Sequence, residues 1–142
     1  MSEPPAEISK ADYEALHTFR RTLRHFFHFT TAGDRAAGLT AQQHQLLLAV
    51  KGQPNREWAT ISDLAESLYI RHHAAVGLVD RCERAGLVVR SQDPNDRRQV
   101  RVSLTEKGEE ILAGLSARNL RELRTLRQAL RPLLLEEIDR EG

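Results

Sequence analysis

The chain has 142 residues, 40% of them apolar and 29% charged, with a formal net charge of +1. That length supports one real core rather than two, and the composition excludes disordered, collagen-like and disulfide-rich chains. The single cysteine, Cys82, allows no internal disulfide, and no apolar stretch approaches a membrane span, so a cytoplasmic protein without a membrane partner is expected.

Residues 1–8, with Pro4 and Pro5, read as a mobile tail lacking a signal-peptide core. Ser9 and Asp12 then open a helix, and Tyr13, Leu16, Phe19, Leu23, Phe26 and Phe27 carry a broad apolar stripe to about residue 31. Ala32 to Gly38 reads as a linker. A second helix starts at a capping box, Thr40 with Gln43, buries Leu46, Leu47 and Val50, and stops at Gly52. Lys51 to Ala59 reads as a polar loop holding Pro54 and the lone Trp58.

The stretch from Thr60 to Thr105 organises the rest. Ile61, Leu64, Ala65 and Leu68 recur at helical spacing, so Ser62 to Leu68 is a short helix capped by Thr60 or Ser62. Tyr69-Ile70 leaves room for a turn only. A further helix places Ala75, Leu78, Val79 and Cys82 on one face, with Gly86 as its stop. Leu87 to Arg90 and Val100 to Leu104 alternate as strands, around Asp93-Pro94-Asn95-Asp96 as a type I turn with proline second. Thr105 caps a leucine-rich helical region running to about residue 140, kinked or divided at Pro132.

The expected fold is mainly α with a small β-hairpin: a winged helix-turn-helix flanked by terminal helices. Its second helix suits a DNA major groove. From Arg71 to Arg101 there are seven arginines against four acids, whereas residues 132–142 hold four acids and one arginine. That segregation suggests a basic contact surface on a neutral or acidic body. The stripes of the first and last helices exceed what a monomer covers, which implies a homodimer.

Asp96, Arg98, Leu104, Thr105 and Gly108 stand as D-x-R-x(5)-L-T-x-x-G, with LAESL upstream and LVDRCERAGLV between. Over Leu39 to Gly108 the chain resembles the MarR family of winged helix-turn-helix transcriptional regulators. The resemblance implies one domain over residues 9–142, with the winged segment at about 39–105 and dimerisation helices at about 9–31 and 106–140. It also implies a dimeric repressor that binds an imperfect palindrome in double-stranded DNA and is relieved by a small aromatic or phenolic effector. A winged-helix module that binds a protein partner without specific DNA binding is the alternative.

Within that resemblance the DNA-binding candidates are Arg71, His72, His73, Val76 and Gly77 on the second helix, with Arg97 and Arg98 at the hairpin. Asp96 would support the wing, and an arginine at its tip would enter the minor groove. Arg71 stands where the family often has a small capping residue, and Gly77 where it often has a base-reading arginine. Arg81, Arg84, Arg90 and Arg101 are candidates for phosphate contact or a solvated surface. Arg20, Arg24, Phe27, His28 and His44 are candidates for holding an aromatic acid, against a reading in which they are dimer core and solvated charge.

Cys82 occupies an apolar helix position and reads as a buried thiol rather than a redox sensor. Adjacent His72 and His73 point apart, which argues against a metal pair. Neither a catalytic constellation nor a nucleotide loop is present, so no enzyme, metal or cofactor is expected.

Overall fold

The computed structural model describes residues 7–134. Its elements are α1 (Lys10–Ala36), α2 (Ala41–Lys51), β1 (Ala59–Thr60), α3 (Ile61–Leu68), α4 (His72–Arg84), β2 (Val88–Gln92), β3 (Val100–Leu104) and α5 (Glu106–Pro132). This is the winged helix-turn-helix expected, with three differences. The tail over residues 1–6 and the helix beyond residue 134 lie outside the described residues.

The first difference is the length of α1. Ser9 and Asp12 cap its start reciprocally, at 2.9 and 3.1 Å. The helix then continues through the expected linker to Ala36. Ala32-Gly33-Asp34 looks locally like a break, but Asp34 is only 2% exposed and its carboxylate lies 2.6 Å from His44 Nδ1 on α2. The Asp34 carbonyl also accepts the Leu39 N–H at 2.8 Å. A long-range buried pair thus overrides the weak local propensity.

The second difference is an added strand. The sheet has the order β1-β3-β2, with Ala59 opposite Val102 and Thr60 opposite Arg101. Two residues carry no alternation, so nothing in the loop sequence announces β1. On the other side of β3, Val88 pairs with Leu104 and Gln92 with Val100, so β2 runs two residues past the expected Arg90.

The third difference is the hairpin turn. The hydrogen-bonded turn spans Asp96 to Gln99, with the Gln99 N–H donating to the Asp96 carbonyl at 3.0 Å. At the expected position the Asp93 carboxylate instead accepts the Asn95 N–H at 2.8 Å. A side-chain acceptor there replaces the backbone one, as short Asp side chains commonly do. Arg97 and Arg98 therefore occupy the middle of the turn.

Two compact units result, one of residues 31–117 and one taking residues up to 30 and from 118. In the first, Leu46, Leu47 and Val50 of α2, Leu64 of α3, Val79 and Cys82 of α4, and Val102 of β3 are fully buried together. Truncating any of these leucines to alanine would cost about 2–5 kcal/mol. The capping boxes seal this core: Thr40 with Gln43 on α2, and Thr60 with Asp63 on α3. In the second unit, Arg118 donates to the Phe29 carbonyl at 2.9 Å and its guanidinium lies 3.8 Å from the Phe29 ring centroid. Tyr13, Leu16, Leu120 and Leu123 of that unit remain exposed.

Candidate nucleic-acid interface

α3 and α4 are held together by a turn so short that a non-glycine residue must take a left-handed conformation. Tyr69 has φ 56° and ψ 41°, and its side chain is 96% exposed. Such a residue costs roughly 1 kcal/mol. In return the Ile70 N–H reaches the Ala65 carbonyl at 3.0 Å, and α4 begins two residues later. The buried face of α4 is Ala75, Leu78, Val79 and Cys82, as its spacing predicts. Packing those four against the core fixes which side faces outward.

On the outward side, Arg71, His72 and His73 are exposed, while Val76 and Gly77 are half-buried. Arg71 supplies no side-chain cap, so the first N–H groups of α4 are left open. Arg81, one turn after Gly77, fills part of the space that a side chain at 77 would take: its Nη1 lies 3.6 Å from where that Cβ would stand. Helical side chains lean toward the N-terminus, which is how an arginine at 81 reaches over position 77.

The wing is built on acceptors. The Asp96 carboxylate accepts the Arg98 N–H at 3.0 Å, so it orders the turn through its backbone. Asp93, nearly buried at 9% exposure, carries the base of the loop. The Asn95 amide, ahead of the Arg101 guanidinium, holds its carboxyl below the ordinary value. Between the wing and the helices lies a recess of about 380 Å³ lined by Ser62, His72, Asp96, Arg98 and Gln99 among others. The structure therefore brings His72 and Arg98 to one recess, two sequence candidates from separate elements.

The arginines divide into two groups. Arg90 lies 2.5 Å from Asp80 and 3.0 Å from Glu83, tying β2 to α4. Arg101 is paired with Asp93 at 3.3 Å and Arg56 with Asp63 at 2.6 Å. Arg71, Arg81, Arg84, Arg97 and Arg98 are exposed and make no ion pair among the described residues. The expected charge segregation is corrected accordingly. Residues 31–117 hold eleven Lys and Arg against eleven Asp and Glu, whereas the described part of the other unit holds nine against four. The winged unit is formally neutral, and its basic character lies in which arginines are left unpaired.

The effector candidates are placed differently. Arg20, Arg24, Phe27 and His28 are exposed on α1, and His44 is buried against Asp34 on α2. Within the helical unit a recess of about 280 Å³ is lined instead by His17, Arg21, His25 and Phe26 of α1, with Thr125 and Leu126 of α5 among its other walls. His17 and His25 were visible in the sequence, but their shared face is set by where α5 packs.

Cys82 is buried, and burial pushes its thiol up to about 11. Among the described residues no three His, Cys, Asp or Glu side chains cluster as metal ligands, and no helix is long and apolar enough to cross a membrane.

Comparison with known proteins follows the same outline. The MarR family model matches residues 37–99. The HTH-type transcriptional repressor MdtR of Bacillus subtilis is 32% identical over 84 residues, covering 56% of this chain and 52% of that protein. The chain spans about half the length of the curated relatives it matches. Among solved structures, a Staphylococcus aureus MepR variant bound to an oligodeoxyribonucleotide superposes with a TM-score of 0.68 at 18% identity, covering 96% of this chain and 100% of that one. NadR in complex with 4-hydroxyphenylacetate gives 0.67 at 23% identity, covering 99% and 96%. Both structures establish likeness of fold.

Proposed function

We propose, from the premise that this chain belongs to the MarR family of winged helix-turn-helix transcriptional regulators, that it is a dimeric, sequence-specific DNA-binding repressor. The observation that carries this reading is the pattern of unpaired arginines. Every inward arginine of the winged unit has a carboxylate, while Arg71 and Arg81 on α4 and Arg97 and Arg98 on the wing have none. An unpaired guanidinium at a surface is available to a phosphate or to a base edge without first breaking a salt bridge.

In this reading α4 enters the major groove. Arg71, His72 and His73 lie at its start, and Arg81 supplies the guanidinium that Gly77 does not. Val76 can meet a thymine methyl. Arg98, and with it Arg97, enters the neighbouring minor groove, held in place through Asp96. The backbone strand between those grooves passes over the recess that His72 and Arg98 share. Exposed Tyr13, Leu16, Leu120 and Leu123 favour closure by a second copy, because a soluble monomer rarely leaves such a patch open. A two-fold dimer would set recognition helices about 34 Å apart and demand an imperfect palindrome. The protein would act in the cytoplasm.

An aromatic or phenolic acid is the proposed effector class. Arg20, Arg24, Phe27 and His28 on α1 offer charge and stacking surface for it, and His17, Arg21 and Phe26 line a recess of suitable chemistry. His44 is committed to Asp34 and would act through that pair rather than by direct contact. The formal neutrality of the winged unit favours a second reading, a module that binds a protein partner. Selection of duplexes from a random pool separates the two. Enrichment of a palindrome with half-sites one turn apart supports the repressor, and recovery of unenriched sequence at every salt supports the partner-binding module.

A further inference from the structure

We propose that Trp58 is the positioning residue of the wing, fixing its pose relative to α3 through two stacked arginines. The functional consequence rests on the DNA-binding reading above; the mechanical one does not.

Trp58 ends the loop before β1 and is half-buried. The guanidinium carbon of Arg101 lies 4.0 Å from its ring centroid and that of Arg56 lies 4.4 Å away. Two cations so close to one ring repel each other unless each is neutralised. Each is: Arg56 Nη2 lies 2.6 Å from Asp63 Oδ2, and Arg101 Nη2 lies 3.3 Å from Asp93 Oδ2. The Nε atoms of both arginines are buried and make no hydrogen bond among the described residues, and both guanidinium carbons lie over the aromatic ring.

Both ends of this line reach an element that matters to the interface. Asp63 Oδ2, besides holding Arg56, accepts the Thr60 N–H at 2.9 Å and so belongs to the cap of α3. Asp93, besides holding Arg101, accepts the Asn95 N–H and anchors the wing loop. Arg101 is also the strand partner of Thr60. The line Asp63–Arg56–Trp58–Arg101–Asp93 therefore runs without a gap from the start of α3 to the root of the wing.

A stiff link is needed there. The wing is a hairpin of two five-residue strands; its base is packed in the core through Val88 and Val102 and tied to α4 by Arg90, and within the sheet it meets the start of α3 through the two-residue strand β1. Such a hairpin can twist about its base. Planar guanidinium groups stacked on an indole resist that rotation better than flexible aliphatic contacts do. Trp58 thus sets where Arg97 and Arg98 stand relative to α4 without touching DNA itself.

The test uses Trp58→Leu, which stays apolar but loses the π-face, and Trp58→Phe, which keeps a ring. In the free protein, backbone amide relaxation should show Asn95 to Gln99 losing order in Trp58→Leu while the amides of α4 are unchanged. Trp58→Phe should restore most of that order. On a duplex selected by the parent, Trp58→Leu should weaken binding roughly tenfold, comparable to removing the wing contact itself. In a background with both Arg97→Ala and Arg98→Ala it should cost less than about twofold, because the contacts it positions are already gone. Arg101→Lys keeps a charge for Asp93 and loses the planar face, and it carries the same expectations should the leucine variant not fold. Unchanged wing order, or an equal loss of affinity in both backgrounds, overturns the proposal. Loosening of the wing in a parent that shows no preference among duplexes would overturn the DNA reading and uphold the stack.

Discussion

Gly108 and Gly114 lie on the same helix, and replacing each by alanine should move stability in opposite directions. A Cβ at Gly108 would stand 2.2 Å from the Leu87 carbonyl oxygen and 3.2 Å from its carbonyl carbon. That oxygen accepts the Thr105 N–H at 3.0 Å, and the Thr105 hydroxyl accepts the Gly108 N–H at 3.1 Å. The obstruction is backbone and cannot rotate away, so α5 must retreat from Leu87, the residue before β2, by about 1 Å to reach ordinary contact. Overpacking of this kind costs about 1–3 kcal/mol. Weakening two hydrogen bonds adds about 0.5–1.5 kcal/mol each. Alanine returns about 1 kcal/mol in helix propensity, for a net loss of about 1–5 kcal/mol. Around Gly114 nothing lies within 4 Å of a built Cβ, so Gly114→Ala should gain about 0.5–1 kcal/mol. Urea unfolding followed by circular dichroism at one fixed protein concentration reads both as midpoint shifts at unchanged slope. A Gly108→Ala protein as stable as the parent would refute the close approach of α5 to the Leu87 carbonyl.

Four further outcomes are expected. Arg98→Ala should cost about 1–3 kcal/mol on a selected site and weaken any preference for a narrow A·T flank, measured against a scrambled site at fixed salt. Arg90→Ala should leave the salt dependence of binding unchanged, since Arg90 is held by Asp80 and Glu83; a shallower slope would place Arg90 on the DNA. Cys82, with a thiol raised to about 11, should be on the order of 10⁻⁴ thiolate at pH 7. It should react slowly with a thiol reagent until the protein is denatured, whereas rapid native labelling would contradict its burial. Sedimentation at micromolar concentration should show twice the chain mass of 16.1 kDa, and a persistent monomer would remove the paired-site geometry.

Much of the fold was legible because local signals and tertiary outcome agree. Thr40 with Gln43 announces α2, and the spacing of Ala75, Leu78, Val79 and Cys82 announces the buried face of α4. Where the sequence misleads, a distant partner decides. Ala32 to Asp34 reads as a break until Asp34 meets His44, and β1 exists because Val102 and Arg101 lie beside it. The interface divides along the same line. Arg98 is marked by its motif, but nothing local distinguishes Arg81, which stays exposed over Gly77, from Arg90 or Arg101, whose carboxylates come from α4 and from the wing loop. Trp58 gave only the signal of a lone aromatic in a polar loop, flanked at a distance of two residues by Arg56. Its second arginine arrives through strand pairing.

The most direct measurement of the central claim is a titration of the protein with its selected duplex, and with a scrambled one, across several salt concentrations. Each phosphate contact contributes a slope of about −0.9 in log K against log salt. With Arg71, Arg81, Arg84, Arg97 and Arg98 making no ion pair among the described residues, the expected slope for the proposed dimer is roughly −4 to −9. The selected site should also bind more tightly at every salt. A slope near zero with equal binding of both duplexes would contradict a DNA-binding regulator and leave the protein-partner module standing.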